Sequence, residues 1–325
     1  MYTLYGALAS PYSVKMRSLL RYRRIPFVWK SGAATREAQR HVRAPVIPVL
    51  EFPDGGYAND STPLIYRLEE EHSERSVIPG DPAMAFAAHV IEDFADEWLT
   101  KAMFGYRWLD PVDQEQMSKW LAFDLLEGGG LAKSTAYAAE FRERQVGRMP
   151  LVGCTRENFA LIEASTKQVL SALEDHVTDS FFLFGSRPSL AEFGLLGQLS
   201  QLAVDPTPQA MMRSEYPYTY RWLMHLEDVS GIEGEWSDGP SDAALAILKM
   251  AGEVYAPFLA ANAKALAAGE EQLSFSAMGH EFAQPVFKYQ AKCLADLRTR
   301  FEALAPADRD TAGGWLGEDW MRILA

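Results

Sequence analysis

Short apolar runs and amphipathic stretches alternate along the first eighty residues, and this alternation predicts strands and helices in turn. Tyr2-Thr3-Leu4-Tyr5-Gly6 has the character of a strand, while Val14, Met16, Leu19 and Leu20 recur at mostly helical spacing as far as Arg24. Pro26 to Lys30 predicts a second strand, Glu37 to Val42 a helical turn, and Val46-Ile47-Pro48-Val49-Leu50-Glu51-Phe52 a third strand. Pro48 is out of place there, because proline removes a ladder donor inside a sheet. Pro53-Asp54-Gly55-Gly56 is turn chemistry leading to a short returning strand, Tyr57-Ala58-Asn59. Asp60-Ser61-Thr62-Pro63 then opens a helix through Leu64, Ile65 and Leu68 to about His72.

After the linker Val77-Ile78-Pro79-Gly80 the pattern turns almost wholly helical. Asp81-Pro82 caps a long helix reaching toward Trp108; Ala87, Val90, Ile91, Phe94 and Trp98 lie on one face, and Glu92, Asp93, Asp96 and Glu97 form what reads as a solvated acidic face. Further helices are expected over 111–127, stopped by Gly128-Gly129-Gly130, and over 155–176. Phe141 to Pro150 carries Arg142, Arg144 and Arg148, read as a solvated basic segment. Ser189-Leu190-Ala191-Glu192 is a capping box, Asp205-Pro206-Thr207-Pro208 reads as a break, and a helix through Tyr220, Leu223 and Leu226 ends at Gly231. Beyond it, Ala243 to Ala268 is an Ala-rich helix, Gln284 to Tyr289 is extended and long enough to reach a site, and Leu294, Leu297, Phe301 and Leu304 mark a last helix.

Composition narrows the class. At 325 residues the chain exceeds what one core organises. Three segments are expected: 1–79 as an α/β domain, 83–231 as an all-helical domain, and 232–325 as a helical extension packed on it. A net charge of -13 argues against a general nucleic-acid binder, which needs clustered cations to neutralise phosphates. No apolar run reads as long enough to span a bilayer and no basic-then-apolar leader opens the chain, so a cytoplasmic protein off the membrane is expected. Cys154 and Cys293 lie far apart, outside metal or redox spacing, and read as buried, unreactive thiols; no metal site is expected.

The candidate chemistry starts at Ala9-Ser10-Pro11-Tyr12-Ser13. Ser10 suits an N-cap and Pro11 a first helical residue, which puts a hydroxyl at the positive end of a helix. With three other stretches in register, this one resembles the glutathione transferase superfamily. Ser10 to Arg17 is similar to the family's first-helix motif, Ile47-Pro48-Val49-Leu50 to its cis-proline element, Asp60-Ser61-Thr62 to its acidic-then-serine pair, and Gly185 to Gly194 to the capping box of its helical domain. The resemblance implies a thioredoxin-like N-terminal domain followed by an all-α domain, with residues 232–325 as an addition to the usual length.

It also implies glutathione as co-substrate. Ile47, before the cis Pro48, would offer its backbone to the cysteinyl part, and Asp60 and Ser61 would hold the γ-glutamyl group. Ser10 would activate the thiol. A free thiol has a pKa of about 8.5, and lowering it two units takes about 2.7 kcal/mol. One hydrogen bond to a charged group, about 1.5–3 kcal/mol, supplies that together with the helix dipole. Ser13, Tyr5 and Tyr12 are nearby rivals for this role. Serine cannot form the mixed disulfide that cysteine-bearing relatives use, so addition, substitution or isomerisation is favoured over thiol transfer. The family's domain cleft falls near Tyr106, Arg107 and Trp108, which with Tyr12 are the expected contacts of a small apolar electrophile. A homodimer formed through the first helix after the linker is a further implication. The competing reading keeps the fold without the reaction, as a binding or interaction protein.

Overall fold

The computed structural model describes residues 1–324. Its N-terminal part is a four-stranded mixed sheet in the order β2-β1-β3-β4, formed by β1 (Tyr2–Tyr5), β2 (Phe27–Lys30), β3 (Val49–Glu51) and β4 (Tyr57–Asn59). β1 runs parallel to β2 and antiparallel to β3, which pairs antiparallel with β4. The helices α1 (Pro11–Tyr22), α2 (Gly32–Ala38) and α3 (Ser61–Glu71) complete it. α2 starts earlier than the helical turn expected over 37–42, and a short 3-10 turn, Gln39–His41, follows it. The third strand is shorter than 46–52: the Ile47–Pro48 peptide is cis and the ladder begins only after it.

The remainder is helical apart from one hairpin. α4 (Pro82–Phe94) and α5 (Thr100–Leu109) form one rod joined by a π turn, Ala95–Leu99, and are followed by α6 (Pro111–Leu126), α7 (Leu131–Arg148), α8 (Arg156–His176) and α9 (Leu190–Leu202). Asp205 to Pro208 does not break the chain. Asp205 is the N-cap and Pro206 the first residue of α10 (Pro206–Glu215), where a missing N–H costs nothing. α11 (Pro217–Leu226) ends the helical layer, and α9 packs its buried length against both α1 and α4.

The extension is α12 (Asp242–Ala268), β5 (Gln272–Ala277), β6 (His280–Pro285), α13 (Lys288–Ala303), α14 (Pro306–Leu316) and α15 (Glu318–Leu324). It packs on α4 and α8 through α12, and it carries a hairpin that the helical reading leaves out. Met278 and Gly279 both take positive φ at its turn, the geometry of a tight type I′ connection. α12 is long and apolar enough by composition to cross a bilayer, contrary to the expectation that no run is. Its apolar side chains are spent on the core instead: Ile247, Leu248, Val254, Phe258 and Leu259 are buried against α8, α4 and the hairpin.

This packing encloses α4 within its own chain, between α9 on one side and α12, α13 and α14 on the other. The acidic face expected to be solvated is therefore internal. Glu92 and Asp96 are buried, and the half-buried Asp93 and Glu97 take hydrogen bonds from Tyr255 (2.7 Å) and Gln290 (3.0 Å) of the extension. The same layers cover α4, the helix through which the resemblance implies a dimer.

Candidate active site

The sheet register brings the candidate residues to one end. Tyr5 lies opposite Val49, and Val49 opposite Asn59. The chain leaving after Tyr5 reaches Ser10, the chain entering before Val49 is Ile47–Pro48, and the chain leaving after Asn59 is Asp60–Ser61. Neighbouring strands are about 4.8 Å apart, so all three segments depart from within about 10 Å of one another.

Ser10 is half-buried and caps α1, its Oγ accepting from the Ser13 amide at 3.3 Å. A hydroxyl has one donor and two acceptor positions. Capping uses an acceptor, so the O–H can donate outward while the oxygen still caps the helix. The rival hydroxyls are buried or donate elsewhere. Ser13 is fully buried with Oγ accepting from the Ala7 amide (3.4 Å), Tyr5 donates to Glu51 (2.7 Å), and Tyr12 donates to the Asp96 carbonyl (2.9 Å). That carbonyl belongs to the π turn, whose wider pitch releases main-chain acceptors from the helical ladder.

Ser61 is buried, and its hydroxyl accepts from Lys15 Nζ (3.3 Å) and lies 3.4 Å from Asp96 Oδ2. Lys15, on α1, is fully enclosed and paired with Glu92 and with Asp96 at 2.6 Å. Burial alone would lower the Lys15 ammonium; Asp96 and Glu92 hold it above its ordinary value. Thr62 donates to Glu92 at 2.5 Å, so both hydroxyls at the start of α3 serve this internal network and only peptide N–H groups are left there for an anion. Lys15, Glu92 and Asp96 are not legible as site residues from the sequence, since nothing local marks three helices as facing one another.

Asp60 stands at the N-cap position of α3 without a side-chain capping hydrogen bond, at φ 75° and ψ 111°, a conformation rare outside glycine. Such outliers gather at binding sites, where the surroundings hold them. Burial raises the Asp60 carboxyl, and the hydroxyl of Tyr289 on α13, 3.2 Å from Oδ2, works against that. Nearby, burial and then Asp96 push Glu97 from 4.5 up to about 8. A carboxyl raised by folding is protonated more tightly in the folded chain, so its cost appears as pH climbs from its ordinary value and is complete above about 8. Glu97→Gln should thus melt like the parent protein near pH 4.5 and several degrees higher above pH 8. Each displaced pH unit is worth about 1.4 kcal/mol in full burial, and solvent screening of a half-buried group reduces the total to about 1–2 kcal/mol. Calorimetry across that range checks it, and a constant gap at all pH values would contradict it.

The residues expected to hold the electrophile divide. Tyr106 is buried, donating to Glu163 at 2.7 Å on the far side of α5. Arg107 is also buried. Its Nε and Nη2 grip Asp205 Oδ2 and Oδ1 at 2.9 and 3.0 Å, while Nη1 donates to the Ala9 carbonyl at 3.0 Å. It therefore acts on the loop before Ser10. Trp108 joins Leu121, Phe141, Met149 and Cys154 in a small cluster against which Ala9 packs. A groove of about 740 Å³ opens beside the same loop, lined by the apolar Leu8, Ala9, Val14, Met117, Trp120 and Phe123 and also by the charged Arg17, Lys119, Asp124 and Glu227. α6 is expected to be amphipathic, but it carries apolar side chains on more than one face, leaving Trp120 49 % and Phe123 71 % exposed. Both cysteines are buried and unpaired, as expected, and burial pushes the Cys154 thiol up to about 11.

Residues 4–76 match the family model of the glutathione S-transferase N-terminal domain, and residues 141–223 that of the glutathione S-transferase C-terminal domain. The chain belongs to the glutathione transferase superfamily. No curated protein matches it. Among solved structures, a glutathione S-transferase from Methylobacterium radiotolerans in complex with glutathione sulfonate is 21% identical, over 74% of this chain and 98% of that one, with a TM-score of 0.44. One from Rhodospirillum rubrum is 16% identical over 76% and 92%, with a TM-score of 0.45. One from Methylobacillus flagellatus with glutathione bound is 16% identical over 71% and 96%, with a TM-score of 0.42. Within this glutathione transferase superfamily member, the two family models leave out 77–140 and everything after 223, which includes the π turn, α6 and the whole extension.

Proposed function

We propose that the chain is a glutathione transferase-like enzyme of the cytoplasm, in which Ser10 stabilises the thiolate of glutathione for attack on a small apolar electrophile. The observation that carries this reading is the row Tyr5, Val49 and Asn59, from which Ser10, Ile47–Pro48 and Asp60–Ser61 all depart. An extended tripeptide would pair its cysteinyl backbone with Ile47, outside the ladder, and set its γ-glutamyl carboxylate on the N–H groups opening α3. Asp60 would take the α-ammonium. The thiol proton leaves to solvent, the Ser10 O–H donates to the sulfur anion, and a sulfur electron pair forms the C–S bond. The displaced pair goes to a leaving group in substitution, or to the electrophile's own activated double bond in addition.

We assign the electrophile to the groove of Leu8, Ala9, Trp120 and Phe123, with Trp108 behind Ala9, and give Tyr106 and Arg107 no contact with it. The homodimer implied by the resemblance would have to use a face other than α4. The test of the whole reading is binding. Retention on immobilised glutathione is expected, together with a rise of several degrees in melting temperature, since ligand at about 100 times Kd stabilises by about 2.7 kcal/mol. Neither effect would leave the fold as a non-catalytic binding or interaction module.

A further inference from the structure

The extension ends one of its connections on the proposed glutathione site. Tyr289 lies 229 residues from Asp60 in sequence, and its hydroxyl donates to Asp60 Oδ2 at 3.2 Å. Its position is fixed from both sides. The fully buried Asn262 of α12 clamps the backbone of Phe287, accepting from its N–H and donating to its carbonyl, each at 2.9 Å. On the other side, Gln290 donates to Glu97 at 3.0 Å. Further along α13, Asp296 meets His89 of α4 at 3.2 Å, and the Arg300 guanidinium stacks 4.1 Å from the Tyr66 ring of α3. α13 is thus fastened across the start of α3 and the length of α4, with Tyr289 at its leading end.

We propose that Tyr289 is a positioning residue of the glutathione site, through which the extension orients Asp60 for the α-ammonium of the γ-glutamyl group. The inference rests on the reading of Asp60 given above. A carboxylate offers about four acceptor positions, so Asp60 can take the Tyr289 phenol, the Thr62 N–H and an ammonium together. An ammonium gains most from a carboxylate whose rotamer is already set and whose charged form is favoured, and the phenolic donor does both. Lys15, Glu92 and Glu97 are the other titratable groups around Asp60. Only Lys15 among them is cationic, and it is consumed by Glu92 and Asp96. The Asp60 end of the site is therefore short of positive charge, which the ligand's ammonium supplies.

The experiment compares the full-length parent with Tyr289→Phe. Tyr289 is 45% exposed, and loss of its hydroxyl leaves the anchors at Asn262, Glu97 and His89 intact. Calorimetric Kd and KM for glutathione are expected to rise about tenfold, the size of one hydrogen bond to a charged group. The kcat and the melting temperature of the free protein should stay near parental values. N-acetylglutathione, which lacks the ammonium, should bind both proteins alike. Unchanged glutathione affinity in the variant overturns the inference, as does tighter binding, which would make Tyr289 an obstruction. Failure of the parent itself to bind glutathione is a different result and removes the reading of the site as a whole.

Discussion

Ser10→Ala is expected to lower kcat/KM for conjugation of glutathione about 10- to 100-fold, with Kd for glutathione changed by less than about threefold. The tripeptide would be held mainly through its backbone and its glutamyl end, whereas the Ser10 hydroxyl would act on the sulfur anion alone. Losing that donor lets the bound thiol relax toward its ordinary pKa of about 8.5, so less thiolate is present at neutral pH. The same substitution removes a helix cap worth about 1 kcal/mol. Ser10→Asp separates the two roles, because aspartate caps as well as serine but puts a negative charge beside the thiolate. Its melting temperature should stay near the parent's while turnover falls below that of Ser10→Ala. The rise of thiolate absorbance with pH in the bound complex gives an independent readout, displaced upward in both variants. If turnover instead follows melting temperature across the two variants, Ser10 is a cap and nothing more.

The parts of the site legible in the sequence are those written in short-range chemistry. Ser10-Pro11 and Asp60-Ser61 are capping signals, and Pro48 is conspicuous in an apolar run that sheet rules deny to proline. Each acquires meaning from a register that also follows from local pattern, since three short strands joined by a turn can pair in few ways. The internal charge network is different in kind. Glu92, Asp93, Asp96 and Glu97 form a stripe that belongs in water unless another layer covers it. The covering layer comes from residues more than 150 positions later, and the cation paired with Glu92 and Asp96, Lys15, comes from a helix nearly 80 positions earlier.

Weak periodicity accounts for two further absences from the sequence reading. α7 displays only a short apolar stripe, with Ala138 and Phe141 as its buried residues. The hairpin does leave a trace: Leu273, Phe275 and Ala277 alternate with polar residues ahead of Met278-Gly279. Six such residues between two long helices give a signal shorter than the helical patterns flanking it. Its packing explains its presence, for the rings of Phe275 and Phe282 meet Trp98 and Phe258 edge-on or tilted and extend the core around them. The extension is thus part of the main core, and it carries Tyr289 to the sheet end where Asp60 lies.

Arg107→Met is expected to destabilise the protein by about 3–5 kcal/mol, the usual result of removing one partner from a buried ion pair. Asp205 is fully buried, and burial already raises its carboxyl despite the guanidinium beside it. Without Arg107 that carboxylate is left uncompensated, with Asp113 as a further negative neighbour. Arg107→Lys is no remedy, because a single ammonium cannot reproduce the bidentate grip together with the donors to Gln201 (3.0 Å) and Ala9. The double variant Arg107→Met, Asp205→Leu should recover most of the stability, since an apolar pair of similar volume often matches a buried ion pair. Its turnover should remain low. The Ala9 carbonyl would still lack its donor, leaving the Gln201 bond to the Leu8 carbonyl, at 3.2 Å, as the hydrogen bond from the helical layer to the loop bearing Ser10. Denaturant unfolding and steady-state kinetics on the same three proteins separate the effects: stability restored with activity still reduced marks Arg107 as the residue that positions the Ser10 loop, whereas joint recovery of both would assign it to the fold alone.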